Sequence, residues 1–303
     1  MIPSRTTAPV LIAGPTASGK SALALALAER VGGAIINADA GQVYACWRLL
    51  TARPDDADLA RAPHRLYGHV DGAQRYSVGD WLRDIAVALE QTRTAGQRPI
   101  VVGGTGLYID ALTRGLAFIP PIPPAVHAES EAMLAAGALE AMLAALDPET
   151  RSRIDQRNPM RVQRAWDVLT ATGRGLAAWQ DAPRLPPLVP EAVRMLVSPD
   201  TPELDARIAR RFHAMIEAGA IDEVDRFAAA GLGRTGPAAR VLGAPQLLAW
   251  RRGETNLDAA ISAAITATRQ FAKRQRTWFR NRMADWPQAS PGAATIEILQ
   301  GIA

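Results

Sequence analysis

The run GPTASGKS, Gly14 to Ser21, constrains this chain more than any other feature, with the apolar stretch VLIA before it and ALALALAER after it. It fits G-x-x-x-x-G-K-[ST] at every fixed position, and it lies where that pattern functions, after a strand and at the opening of a helix. There the backbone N–H groups of the loop and of the helix N-terminus point at an anion. Lys20 neutralises terminal phosphate oxygens, and Ser21 offers a hydroxyl to Mg²⁺. The anion-binding set is therefore Gly14, Thr16, Ala17, Ser18, Gly19, Lys20 and Ser21. Most such loops hold a nucleoside triphosphate, but the loop itself reads only an anion. The identity of the phosphate must come from the rest of the sequence.

The first third repeats a strand–helix rhythm. PVLIAG (Pro9–Gly14), AIINA (Ala34–Ala38) and PIVVGG (Pro99–Gly104) are short apolar runs closed by Gly or polar residues, as buried parallel strands are. VRMLVSP (Val193–Pro199) is a weaker fourth. Helical patterns at Ser21–Val31 and Val78–Ala95 lie between them. The expected class is α/β, a P-loop NTPase-like parallel sheet flanked by helices.

Two proline-rich breaks, PPIPP (Pro120–Pro124) and PRLPPLVP (Pro183–Pro190), bracket a segment that reads as wholly helical. Residues 121–190 are accordingly expected to form an inserted all-helical subdomain, with residues 1–120 and 191–303 making the catalytic core. From Pro202 the pattern is helical again, and the Pro/Gly/Ala-rich tail after Pro287 is expected to pack loosely.

Composition narrows the class. No apolar stretch approaches the ~20 residues of a membrane helix, and Met1–Pro9, with one Arg and two prolines, does not read as a signal peptide. One cysteine, Cys46, allows neither a disulfide within the chain nor a cysteine-based zinc site. A cytoplasmic monomer without an obligate protein partner is expected. The net charge of +4 is concentrated at the C-terminal end. Of 34 basic residues only Lys20 and Lys273 are lysine, so a position that stays Lys points to a need for a compact ammonium.

Functional residues of a parallel sheet collect at the carboxyl ends of its strands. Asp39, in INADAGQVY, and Thr105, in VVGGTGLY, should therefore meet the phosphate loop in one crevice. Asp39 reads equally as a magnesium ligand, a general base or a helix N-cap. Arg207 and Arg211 share a helix face, which reads by itself as an ordinary exposed basic face, although paired guanidinium groups also suit a diphosphate. In TRQFAKRQRTWFRNR (Thr268–Arg282), Arg269, Lys273, Arg276 and Arg280 form one helical stripe that suits either a nucleic-acid backbone or, as the default for such a charge run, a solvated helix face. Phe271 and Trp278 lie on another face and are expected to anchor that helix to the core. Arg151, Arg153, Arg157, Arg161 and Arg164 make a second basic cluster in the inserted segment. The four histidines form no ligand set, and structural roles are expected for them.

Taken in order, GPTASGKS, NADAGQVY, TARP, PHRL, YSVGDW, VVGGTGLY, NPMRVQRAWDVLTATGR, RIARRFHAM and TRQFAKRQRTWFR resemble the bacterial tRNA dimethylallyltransferases, over about Val10–Arg282. The resemblance implies that the loop holds the diphosphate of dimethylallyl diphosphate. The prenyl group would pass to N6 of the adenine 3′ to the anticodon, in tRNAs reading codons that start with U. It further implies Asp39 as proton acceptor, Thr105 positioning the reacting groups, Arg211 joining Lys20 and Mg²⁺ (at Ser21) on the leaving diphosphate, and the insertion gripping the anticodon stem-loop. The tRNA contacts it implies are Asp39, Ala40, Gly41, Gln42, His127, Arg161, Gln163, Arg164, Arg240, Lys273 and Arg276. The chain departs from the family in three places: Ala40 stands where Ser is usual, LLTARP where IGTAKP is usual, and His127 where an Arg is often found. The competing readings are a small-molecule or nucleotide kinase, which shares the loop, the strand-end carboxylate and an arginine-bearing insertion, and a non-catalytic RNA-binding P-loop protein.

Overall fold

The computed structural model describes residues 8–232 and 236–289. They divide into two compact units, Arg114–Pro187 and the residues flanking it on both sides. These limits stand beside the 121–190 expected from the prolines.

The flanking unit opens with β1 (Val10–Ala13), α1 (Lys20–Val31), β2 (Gly33–Asn37), α2 (Asp56–Arg61), β3 (His64–Arg65), α3 (Val78–Thr94), β4 (Arg98–Gly103) and α4 (Gly106–Arg114). The Arg114–Pro187 unit holds α5 (Pro124–Ala135), α6 (Leu139–Ala145), α7 (Pro148–Arg153), α8 (Pro159–Thr172) and α9 (Leu176–Gln180). The first unit resumes with β5 (Val193–Val197), α10 (Thr201–Glu217), α11 (Ala220–Ala229), α12 (Ala244–Arg251), α13 (Leu257–Arg282) and β6 (Gln288–Ala289).

The six strands are all parallel, in the order β3-β2-β4-β1-β5-β6. Their side chains alternate between the two faces. Leu11, Ile36 and Val101 pack with Trp81, Ile85, Leu112 and Phe279 on one side. Val10, Ile12, Ile35, Ile100 and Val197 pack with Ala24, Leu25 and Leu27 of α1 on the other. Both faces are covered, so the strands read as continuous apolar runs.

Helix starts follow local chemistry. Ser77 and Asp80 form a reciprocal capping box at α3. Asn256 caps α13 through the Ala259 N–H, and Gly32 ends α1 with a left-handed φ of 61°. Two strands escape the sequence pattern, β3 and β6, each two residues long. Gln288 and Ala289 therefore belong to the sheet, which corrects the expectation of a loose tail at its first residues; 290–303 lie outside the described residues, as does most of Met1–Pro9. The inserted unit has its own core of Met142, Leu146, Val162, Ala165, Trp166, Val168 and Leu176.

Candidate active site

The site forms where three neighbouring strands end. In the sheet β4 lies between β2 and β1, so Asp39, Thr105 and the phosphate loop leave adjacent strands on the same edge. The loop is tight: Ser18 N–H donates to Pro15 O at 3.2 Å, and Ala17 and Gly19 both have left-handed φ, 63° and 90°. Gly14 has no room for a β-carbon, which would sit 2.6 Å from Val197 O.

A cavity of about 330 Å³ opens over this loop, lined by Thr16 to Ser21, Asp39, Gln42, Thr51 and the guanidinium-bearing Arg207, Arg210 and Arg211 of α10. Arg211 donates to Thr16 Oγ1, which ties α10 to the loop. Lys20 donates to Pro15 O at 3.1 Å. Burial pushes its ammonium down to about 8, Asp39 opposes that shift and Arg211 adds to it. Burial also lowers Arg211, again opposed by Asp39. Lys20, Arg211 and the Asp39 carboxylate thus share a partly dehydrated space, and an anion there gains more from each charge than it would in water.

Asp39 caps no helix. Its Oδ1 accepts from Gly41 N–H at 2.9 Å, closing a short turn. That turn is held from three sides. Asn37 Oδ1 accepts from Asp39 N–H at 2.9 Å while its Nδ2 reaches the carbonyls of Asp39 and Leu66. Trp81 Nε1 donates to Asn37 O at 2.9 Å. Thr105 Oγ1 accepts from Ala40 N–H at 2.9 Å, and Thr105 N–H donates to Ala38 O. Thr105 therefore fixes the backbone beside the carboxylate. A second cavity, about 420 Å³, shares Thr16, Asp39, Thr51 and Arg211 with the first and adds Ala40, Gly41, Tyr44, Thr105, Arg240 and Phe271. The carboxylate thus stands between a phosphate side and a side where small, apolar and aromatic groups lie beside the guanidinium groups of Arg240 and Arg274.

The sequence-derived tRNA set is divided by the fold. Asp39, Ala40, Gly41, Gln42 and Arg240 line these cavities. Lys273 and Arg276 line a separate groove with Arg269, Arg280 and Thr201, and Arg276 donates to Thr201 Oγ1. His127, Arg161, Gln163 and Arg164 belong to the Arg114–Pro187 unit. Arg161 and Arg164 are exposed, but Gln163 is buried and donates to Ser130 Oγ at 2.9 Å. His127 is paired through Nδ1 with Asp167 at 2.7 Å. The two anchors expected on α13, Phe271 and Trp278, are only partly buried. Trp278 does pack against the core around Trp81 and Phe279, beside the inward-facing Thr268, Ala272, Gln275 and Phe279.

Two supporting residues carry no sequence signal. Glu223 of α11 accepts N–H bonds from Arg48, Leu49 and Leu50 at 2.8, 2.8 and 3.0 Å, pinning the segment that leads to Thr51. Glu223→Ala leaves three N–H groups without their acceptor and is expected to cost at least about 3 kcal/mol. Urea unfolding tests this as a lower midpoint at unchanged m; a loss below about 1 kcal/mol would show that the pin is dispensable. The second residue is Gln275.

Fold and cavities together define a P-loop protein that can hold a phosphate chain against a carboxylate and a hydroxyl, a setting for group transfer. Comparison with known proteins narrows this. The IPP transferase family model matches residues 42–282. A tRNA dimethylallyltransferase of Cereibacter sphaeroides (strain KD131) is 58% identical over 280 residues, 92% of this chain and 87% of the relative. The tRNA dimethylallyltransferase of Dinoroseobacter shibae is 56% identical over 291 residues, 94% of this chain and 96% of its own. The solved tRNA isopentenylpyrophosphate transferase of Bacillus halodurans superposes with a TM-score of 0.68 at 28% identity, covering 98% of this chain and 94% of that one. The chain belongs to the IPP transferase family. That membership favours the prenyl-transfer reading over the kinase. Among the described residues no helix is long and apolar enough to cross a membrane, and no three His, Cys, Asp or Glu side chains group as a metal site.

Proposed function

We propose that this enzyme transfers the dimethylallyl group of dimethylallyl diphosphate to N6 of the adenosine 3′ to the anticodon, in cytoplasmic tRNAs reading codons that start with U, and releases diphosphate. The observation that carries this reading is Asp39 in one cavity with Lys20 and Arg211, in a chain whose relatives are named for dimethylallyl transfer to tRNA. An adenine amine is a poor nucleophile because its lone pair is delocalised into the ring. The carbon–oxygen bond of the donor must be well broken as the carbon–nitrogen bond forms, and negative charge gathers on the diphosphate. Lys20, Arg211 and the loop N–H groups are fixed in advance around that charge. Asp39 takes the amine proton, and Thr105 holds the Asp39 turn in place. The adenine must leave its stack to reach the carboxylate, which costs little in a single-stranded loop.

Mg²⁺ fits the donor set. Ser21 offers a hydroxyl oxygen to the cavity, as a hard cation requires, and most remaining ligands would come from diphosphate and water. Ser21 would hold the ion, which supplies further neutralisation of the leaving group.

In this reading the exposed arginines of the inserted unit and the α13 stripe grip the tRNA backbone. Lys273→Glu with Arg276→Glu is expected to weaken tRNA binding at least tenfold and to flatten its salt dependence by about one unit of slope for each phosphate no longer neutralised. Donor affinity should be unchanged; equal tRNA affinity in filter binding would remove the stripe from the interface. The function itself is tested by incubating the protein with Mg²⁺, dimethylallyl diphosphate and an unmodified tRNA reading a U-starting codon. A dimethylallyl adduct on adenosine in the digested nucleosides, seen by mass spectrometry, is the expected result. Tight tRNA binding without an adduct would support a non-catalytic RNA-binding protein.

A further inference from the structure

Helix α13 carries its basic stripe on one face, but a long polar side chain of the same run, Gln275, turns inward. Gln275 is 7% exposed. Its Oε1 accepts from Thr16 N–H at 2.9 Å, and its Nε2 donates to Gly104 O at 2.8 Å. A donor and an acceptor are needed at opposite ends of the group, so only one orientation of the amide satisfies both partners. The fit is close: a β-carbon on Gly104 would lie 2.4 Å from Gln275 Nε2 and 3.3 Å from Asp39 Oδ2.

The two partners belong to the two halves of the site. Thr16 is in the phosphate loop, and its Oγ1 accepts from Arg211. Gly104 precedes Thr105, whose Oγ1 holds Ala40 N–H beside Asp39. One buried amide therefore spans the gap between the segment that would hold the leaving diphosphate and the segment that would hold the proton acceptor.

We propose that Gln275 is a positioning residue for the transfer step: its amide sets the distance between the phosphate loop and the Asp39–Thr105 turn, so that donor carbon, adenine N6 and carboxylate come into line. This rests on the prenyl-transfer reading above. Each segment keeps its own substrate-touching groups without the amide, so binding survives, but the spacing between the segments and hence the alignment does not. A displacement of about 1 Å at a reacting centre costs on the order of 10²-fold in rate.

The test compares the full-length wild type with Gln275→Leu, which removes both bonds at similar volume, and Gln275→Glu, which keeps an acceptor for Thr16 N–H but faces Gly104 O with an oxygen. Single-turnover transfer, KM for donor and tRNA, and Kd for inorganic diphosphate are read on each, with the folded fraction taken from thermal melts. Expected are a kcat per folded molecule about 100-fold lower in Gln275→Leu and both KM values and the diphosphate Kd within about threefold of wild type. Gln275→Glu should also fall in kcat, since the Gly104 bond is broken. Unchanged kcat in folded Gln275→Leu, or a loss carried by KM, overturns the proposal. Failure of both variants to fold would make the amide architectural and overturns it as well. If the wild type itself forms no adduct, the underlying functional reading fails instead, and the diphosphate Kd shows whether the loop still binds.

Discussion

Asp39→Asn is expected to lower the rate of prenyl transfer by about 10²- to 10⁴-fold without weakening donor or tRNA binding. Asn is the sharper substitution because its Oδ1 can still accept from Gly41 N–H, the bond that shapes the Asp39 turn at 2.9 Å. The turn also keeps its support from Asn37 and Thr105. What disappears is the capacity to take a proton. The carboxylate shares its cavity with Lys20 and Arg211, so removing a negative charge there cannot weaken an anion's affinity by repulsion. A variant that binds normally and transfers slowly, with the turn still held, is what a missing base predicts, whereas a disrupted fold would raise KM as well. Single-turnover kinetics with labelled donor separate the two. Transfer within about tenfold of wild type would take the proton-accepting role away from Asp39.

How visible each part is in the sequence follows from the kind of signal it leaves. GPTASGKS fixes its own geometry, because a tight loop with left-handed φ at Gly19 and a helix starting at Lys20 leaves little freedom. Asp39 and Thr105 can be brought to that loop because apolar runs such as VLIA and PIVV mark strand ends. The two-residue strands β3 and β6 are too short to show any period, and only their pairing defines them. On α13 the basic stripe is readable, but the buried face is not. Phe271 and Trp278 look like anchors by residue type, and Trp278 does pack against the core, but the residues the helix turns fully inward are Thr268, Ala272, Gln275 and Phe279. Gln275 sits among arginines, and Glu223 in the acidic run IDEVDRF, where neither stands out. Both act on backbone groups distant in sequence, and no local pattern records such a partner. Gln163 is hidden in the same way: alternation with arginines suggests a surface, while the inserted unit buries it against Ser130.

Lys20→Met is expected to reduce transfer by about 10²- to 10³-fold, the loss typical of one preorganised group at a developing charge, and to weaken donor binding as well. Met keeps most of the length and apolar volume, so the helix start at Lys20 and the cavity wall are preserved while the charge is removed. Lys20→Arg should not rescue it. In a chain where only two of 34 basic residues are lysine, this position retains a compact ammonium, and a planar fork would have to share the space already occupied by Arg211 on Thr16. The ammonium also titrates within reach of neutral pH, pushed down to about 8 by burial and the neighbouring Arg211 against the opposing pull of Asp39. A diphosphate binds the charged form, so its affinity should hold below about pH 8 and decline as the pH rises through that value, approaching a tenfold loss per unit. Calorimetric titration of dimethylallyl diphosphate in EDTA from pH 7 to 9.5 measures this directly. Lys20→Met should bind more weakly but with a flat profile over the same range. If the variant shows the wild-type decline, the titrating group lies elsewhere, and the ammonium is not what holds the diphosphate.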